Sequence, residues 1–258
     1  MSHNITEHIS ALESMKKYPK ELFYKGNLEL LNRPKVSIVG SRRLSNYTRE
    51  ATYILAKELS KRGVCIVSGA AMGVDTIAHE GAGSDNTIAV VANGLDIRYP
   101  SVNRELIQNI ENNGLILSQF NDGFRATGWS FVVRNELVVA LGDILIVSEA
   151  DLDSGSMRSV EYALSMGKKI YVLPHRLGES LGTNYLLNEN KATAITDIES
   201  FSATFGESVT SDIQKDDFFY FCQTSPSFDE AVNLFGDRIY EAELEGLITI
   251  HNGTVRVN

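Results

Sequence analysis

The sequence predicts an α/β fold: an extended Rossmann-like, doubly wound, mostly parallel sheet followed by a small C-terminal winged-helix-like domain. Short apolar runs at residues 36–39, 64–67, 87–92, 115–118, 144–147 and 170–173 alternate with helical stretches of about 10–15 residues, the rhythm of a parallel sheet covered on both faces. Three of these runs end in turns of small residues, Gly40-Ser41-Arg42, Ser68-Gly69-Ala70-Ala71-Met72-Gly73 and Ser154-Gly155-Ser156. Beyond residue 205 the rhythm stops, and three short helices lead into a hairpin.

In order, residues 1–18 are polar and weakly helical, a lead-in. Residues 18–27 mix aromatic and turn residues without a clear period and are expected to pack across the sheet as an adaptor, which Pro34 closes. The first strand and its Gly40 turn precede an amphipathic helix to about Arg62, then the second strand. Gly73-Val74-Asp75 begins the next helix. Asn93-Gly94-Leu95-Asp96 turns the chain after the third strand, and Asn103 opens a helix from Arg104 for which Gly114 is the expected C-cap. A polar loop, 119–130, is expected before a helix over 131–141. The loop 148–156 then leads into a helix ending at Met166. Residues 200–210 are polar and small, a linker. Helices are expected over 217–222, 228–234 and 237–245, and a hairpin with an Asn-Gly turn closes the chain. The division is thus residues 1–204, with 1–33 as lead-in and adaptor, and residues 205–258.

The chain's 258 residues suit one large domain plus a small one, and 43% hydrophobic with 22% charged residues is ordinary for a soluble globular protein. The N-terminal MSHNITEHIS has neither a basic start nor an apolar core, and no run approaches a membrane span, so a cytoplasmic protein without membrane contact is expected. Cys65 and Cys222 sit in apolar surroundings far apart, which fits buried thiols in a reducing compartment. The net charge of −9 is uneven: residues 205–258 hold ten Asp/Glu against three Lys/Arg, leaving 23 against 21 in the rest. A nearly neutral main domain retains room for a basic face.

Two strand–glycine–helix turns on neighbouring parallel strands make anion-sized hollows, where backbone N–H groups and helix dipoles suit a phosphate. Gly40, Ser41 and Arg42 offer amides, a hydroxyl and a guanidinium that forks onto two oxygens; Ser45 follows. Ser68, Gly69 and Gly73 shape the second turn, and Ser154, Gly155 and Ser156 a third. There is no Walker lysine and no GxGxxG fingerprint, so neither ATP nor NAD is implied and no cofactor is expected. Asp75 and His79, one helical turn apart, fit either an acid–base pair or a structural hydrogen bond at the helix start. No Cys/His cluster implies a metal. Arg134-Asn135 lies on an otherwise apolar helix and is expected to point into the crevice, because an interior arginine needs an anionic partner. Lys168 is either a basic rim or an exposed charge. Phe124, Arg125, Trp129 and Phe131 interleave aromatic and basic side chains, as base-stacking groups or as packing anchors.

The segments GSRRLSNYT, SGAAMGVDTIAH, TIAVVANGLDIRYP, the Arg134-Asn135 helix and SEADLDSGSM, in this order, resemble the DprA/Smf family of DNA-processing proteins over residues 18–190. The resemblance implies an extended Rossmann fold without catalytic residues. It further implies single-stranded DNA binding, a homodimer, and loading of the RecA recombinase during natural transformation of competent cells. Ser41, Arg42, Gly69, Gly73, Arg134, Asn135 and Ser154 to Ser156 match its phosphate-pocket motifs. Where the family commonly has Arg-Asn-Arg, this chain has Glu136 in third place; Pro174-His175 replaces Pro-Gly. The rival readings are a nucleotide-cleaving phosphoribohydrolase-like enzyme, whose Pro-Gly-Gly signature is missing here, and an interaction scaffold without DNA binding.

Overall fold

The computed structural model describes residues 2–206, 217–244, 246–251 and 253–257, and the chain divides into two compact units, Met1–Val209 and Thr210–Asn258. In the first unit β1 (His3–Asn4), β2 (Phe23–Gly26), β3 (Lys35–Val39), β4 (Cys65–Ser68), β5 (Thr87–Val91), β6 (Leu115–Ser118), β7 (Ile144–Val147), β8 (Ile170–Val172) and β9 (Thr193–Ala194) form one sheet. Their order is β1-β2-β6-β5-β4-β3-β7-β8-β9. From β6 to β9 the pairs are parallel, while β2 and β1 add antiparallel strands at one edge.

Crossover helices make this arrangement possible: α1 (Asn46–Ser60), α2 (Val74–Ala82), α3 (Arg104–Asn113), α4 (Gly128–Leu141), α5 (Gly155–Ser165) and α6 (Leu181–Asn188); α7 (Ile198–Ala203) follows the last strand. Alternate side chains of each strand enter opposite cores. Val36, Ile38, Ile66 and Ile146 pack with Leu55 and Leu59 of α1, and Ala89 and Val91 with Ile107 and Ile110 of α3. On the other face Val67, Val90, Leu145 and Val147 meet Leu137 and Leu141 of α4 and Val160 of α5. Burial on both faces explains why the strands are apolar runs without alternation.

The direction of winding sets the place of the crevice. From β3 the chain builds β4, β5 and β6 to one side, then returns to lay β7 against the other side of β3, with Val36 opposite both Ile66 and Ile144. Strand order reverses between β3 and β7. Helices diverge there, leaving a cleft at the carboxyl ends of the strands.

Four expectations change. The adaptor does not cross the sheet; Phe23 to Gly26 pair with Ser118 to Leu115, because β6 otherwise presents an open edge of unpaired backbone groups. The lead-in holds β1 and a short 3-10 turn, Ser10–Ser14, whose Leu12 is fully buried. Helix α4 starts three residues early. Thr127 and Ser130 form a capping box, so Trp129 is helical rather than in a loop. The expected linker is partly ordered structure: α7 reaches Ala203, and Phe201 and Phe205 pack against the α1 side of the sheet; residues 207–210 of that linker lie outside the described residues. Helix α6 and strand β9 extend the sheet side beyond the expected elements.

The second unit contains α8 (Asp217–Gln223), α9 (Phe228–Phe235), α10 (Arg238–Leu244) and the antiparallel pair β10 (Ile248–His251) and β11 (Thr254–Val257). It has a core of its own, with Phe218, Cys222, Ala231, Ile239, Ile248 and Val255 buried together. Ser227 and Glu230 cap α9 reciprocally. Asn252 of the expected Asn-Gly turn, like Glu245, lies outside the described residues. Both cysteines are buried and free. Among the described residues no helix is long and apolar enough to cross a membrane.

Candidate nucleic-acid interface

A cavity of about 420 Å³ opens at the ends of β3, β4 and β7, lined by Gly40, Ser41, Arg42, Gly69, Arg134, Asn135, Ser154, Gly155 and Ser156 among others. Three small-residue turns and the first turns of α4 converge on it. Gly73 stands behind it. Its φ is +84°, a left-handed conformation that glycine adopts without cost, and a Cβ there would strike Ser41 and Arg42. A Cβ at Gly69 would collide with the Arg134 guanidinium.

Arg134 forms the floor. It is 5% exposed and its Nη1 donates to the carbonyls of Gly69 and Val90, while Nε donates to Asn135 Oδ1 at 3.1 Å. The Asp75 carboxylate lies 4.0 Å from Nη1. Nη2 has no protein acceptor among the described residues, so one arm of the guanidinium remains for a ligand anion. Burial pulls the Arg134 pKa below its ordinary value, and Asp75 opposes that pull. Burial pushes the Asp75 carboxyl up, against the nearby Arg134 and the Ala71 N–H that it accepts at 3.3 Å. Asp75 and His79 do not pair. His79 Nδ1 lies 2.6 Å from Thr87 Oγ1, whose own proton goes to the Ile66 carbonyl, so Nδ1 carries the hydrogen. Burial lowers the His79 pKa to about 3; the ring is a neutral core group away from the crevice.

The amides of the turns divide unequally. Ser41 N–H donates to the Glu149 carbonyl, and Ala71 N–H to Asp75. The N-terminus of α1 is closed by the Glu149 carboxylate, which accepts from Ser45 N, Ser45 Oγ and, at 2.5 Å, Thr48 Oγ1. A carboxylate at that dipole leaves no room for a phosphate. Ser45 is therefore a helix cap outside the cavity, and Ser68, whose hydroxyl donates to Ile38 O, is a link between strands. Among the described residues the amides of Arg42, Gly155 and Ser156 meet no acceptor; the last two are at the start of α5, where the buried Ser154 hydroxyl has no partner.

Arg42 is exposed, pairs with no carboxylate among the described residues, and lies with its guanidinium carbon 5.3 Å from the Phe131 ring centre. A smaller slot of about 30 Å³ adjoins the cavity and shares Arg42, Gly69 and Ala71 with it; Met72, Tyr99 and Phe131 contribute its apolar walls. Tyr99 is 50% exposed and its ring centre is 6.2 Å from that of Phe131. Sequence reasoning missed Tyr99, although the Tyr-Pro pair after a strand-end turn was a visible sign of an aromatic held at the sheet's carboxyl edge. Two stacking candidates move away. Phe124 stacks on Phe120 at 4.5 Å, and Trp129 meets the edge of Phe120 at 5.8 Å, so neither lines the cavity or the slot. Arg125 is exposed outside both. Lys168 belongs elsewhere: it precedes β8, at the amino ends of the strands, and its ammonium caps α4 on Ala140 O (2.7 Å) and Gly142 O. Among the described residues no group of His, Cys, Asp and Glu side chains is placed to hold a metal ion.

The model of a sequence family, DNA recombination-mediator protein A, matches residues 2–206. This chain belongs to that family. DNA processing protein DprA of Streptococcus pneumoniae is 38% identical over 191 residues, which is 72% of this chain and 67% of its own length. Protein Smf of Escherichia coli is 33% identical over 187 residues, 70% of this chain and 50% of its own length. The chain thus spans about half to two thirds of these relatives. Among solved structures, DNA processing protein A from Helicobacter pylori, a study of its single-stranded DNA binding mode, matches with a TM-score of 0.77 and 43% identity, covering 79% of this chain and 95% of that one. The S. pneumoniae protein matches with a TM-score of 0.73 and 34% identity, covering 80% and 74%. The mostly parallel doubly wound sheet with its extra edge strands is the fold of this family.

Proposed function

We propose that this chain binds single-stranded DNA in the crevice between β3 and β7 and acts as a recombination mediator, loading a RecA-type recombinase in the cytoplasm, as a homodimer. The observation that carries the reading is the free, exposed Arg42 guanidinium at the mouth of a cavity floored by Arg134. Around it are unpaired amides at the start of α5 and the aromatic face of Phe131. Such a surface binds a phosphate backbone with an adjacent unstacked base, the chemistry of a single strand. The family membership and the Helicobacter relative support it. The role is binding rather than catalysis: the buried carboxylate, Asp75, holds Arg134 and an amide, and the nearest buried imidazole faces Thr87. Affinity resting on phosphate contacts is largely independent of sequence and falls with salt. A dimer lays one strand across two crevices and gains avidity.

Fluorescence anisotropy with a labelled oligo-dT strand over a salt series tests this. Tight binding that weakens steeply with salt, is poor for the same strand in a duplex, and falls at least tenfold in Arg42→Ala is expected. Equal affinity for single strand and duplex would sink the proposal.

A further inference from the structure

We infer that Tyr99 is a base platform: together with Phe131 it takes an unstacked nucleobase beside the phosphate held at Arg42. The inference rests on the single-strand reading and adds a residue, a position and a ligand moiety to it. Tyr99 follows the turn after β5, a different strand from those that build the phosphate cavity, yet the slot it lines shares Arg42 with that cavity. A phosphate in the cavity therefore places the next sugar and base at the slot's mouth. There Tyr99 and Met72 are about half exposed, 50% and 47%, next to a Phe131 ring already faced by Arg42. The slot's volume of about 30 Å³ has room for water and none for a nucleobase. A base consequently lies on the exposed rings rather than entering the wall. Tyr99 and Phe131 are tilted by 49° and 6.2 Å apart, so they present two faces and not one closed stack.

The other two aromatic candidates near this edge, Phe124 and Trp129, are engaged with Phe120. Asn93, at the back of the slot, donates its amide to Gly94 O and Ile97 O, which holds the turn that carries Tyr99. The recognition is by π-face and is indifferent to the base's hydrogen-bonding edge.

The test compares two labelled strands of equal length and charge, oligo-dT and an abasic strand, on the full chain. Wild type is expected to prefer oligo-dT. Tyr99→Ala is expected to weaken oligo-dT by about tenfold while abasic binding and the salt slope stay unchanged; Tyr99→Phe, which keeps the ring, restores oligo-dT binding to within about twofold. Arg42→Ala is expected to lose both strands together. Equal losses on both strands in Tyr99→Ala, or no loss on either, would overturn the platform and leave single-strand binding standing. Wild type that binds neither strand would overturn the single-strand reading and the platform with it. Circular dichroism melts of each variant separate a ligand effect from a folding one.

Discussion

At the residue scale the two arginines of the crevice do different work, and their substitution separates them. Arg134 ties β4 and β5 through Gly69 O and Val90 O and neutralises Asp75. Arg134→Met leaves a buried carboxylate unpaired and is expected to cost about 3 kcal/mol in urea unfolding. Arg42→Ala touches only the surface and is expected to stay within about 0.5 kcal/mol of wild type while losing DNA affinity. His79 supplies a pH signature. Its pKa is about 3 in the folded chain against an ordinary 6.5, so the unfolded chain binds the extra proton between those values. Stability is then full above pH 6.5 and declines as pH falls toward 3, by on the order of 5 kcal/mol; urea titrations at several pH values should show His79→Gln with a flatter profile. Asp75, pushed up by burial, works in the opposite sense, favouring acid. The sequence made Arg134 legible as an interior cation in need of an anion. Its partner, Asp75, was read instead against His79, because helical spacing shows neighbours on one element and not contacts between elements. Lys168 was misread for composition alone. A residue just before a parallel strand lies at the far end of the sheet from the turns that follow the strands.

At the element scale the β3–α1 turn is held from outside itself. The Glu149 carbonyl accepts Ser41 N–H, and its carboxylate accepts from Ser45 and Thr48. Glu149→Ala is expected to cost about 1 kcal/mol, the size of a lost helix cap, and to weaken single-strand binding by freeing the segment that aims Arg42; Glu149→Gln, which keeps an acceptor, should lie between. Denaturation and anisotropy on the same samples check both. Most elements were legible because strands buried on both faces read as apolar runs, and helices with one buried face as periodic ones. Those that escaped have short signals. Four residues make β2, three of them half-buried, and its pairing depends on the open edge of β6, far along the chain. The start of α4 lies in a Thr127–Ser130 capping box that lacks the usual Glu or Gln. The free amides of α5 became distinguishable from the closed end of α1 only through Glu149, which neither helix contains.

At the scale of the whole molecule, charge and cores are partitioned together. The second unit has its own core and most of the acidic excess, with nine Asp/Glu against three Lys/Arg in residues 210–258. A chain ending at residue 209 is expected to fold and to bind oligo-dT within about threefold of the full chain, by the same anisotropy assay, since every residue lining the crevice precedes residue 160. The crevice also has a history in time. Its walls come from residues as far apart as Val39 and Ser159, and its two sides meet only when β3 pairs with β7, joining Val36 to Ile144. A growing chain that has emerged only through β6 carries Arg42 on a strand with one side still open. Contacts this distant in sequence form late and slowly. During synthesis, binding competence therefore arrives all at once, with the closure of that last pairing, and stopped-flow refolding should recover DNA binding in the slowest phase that buries the sheet.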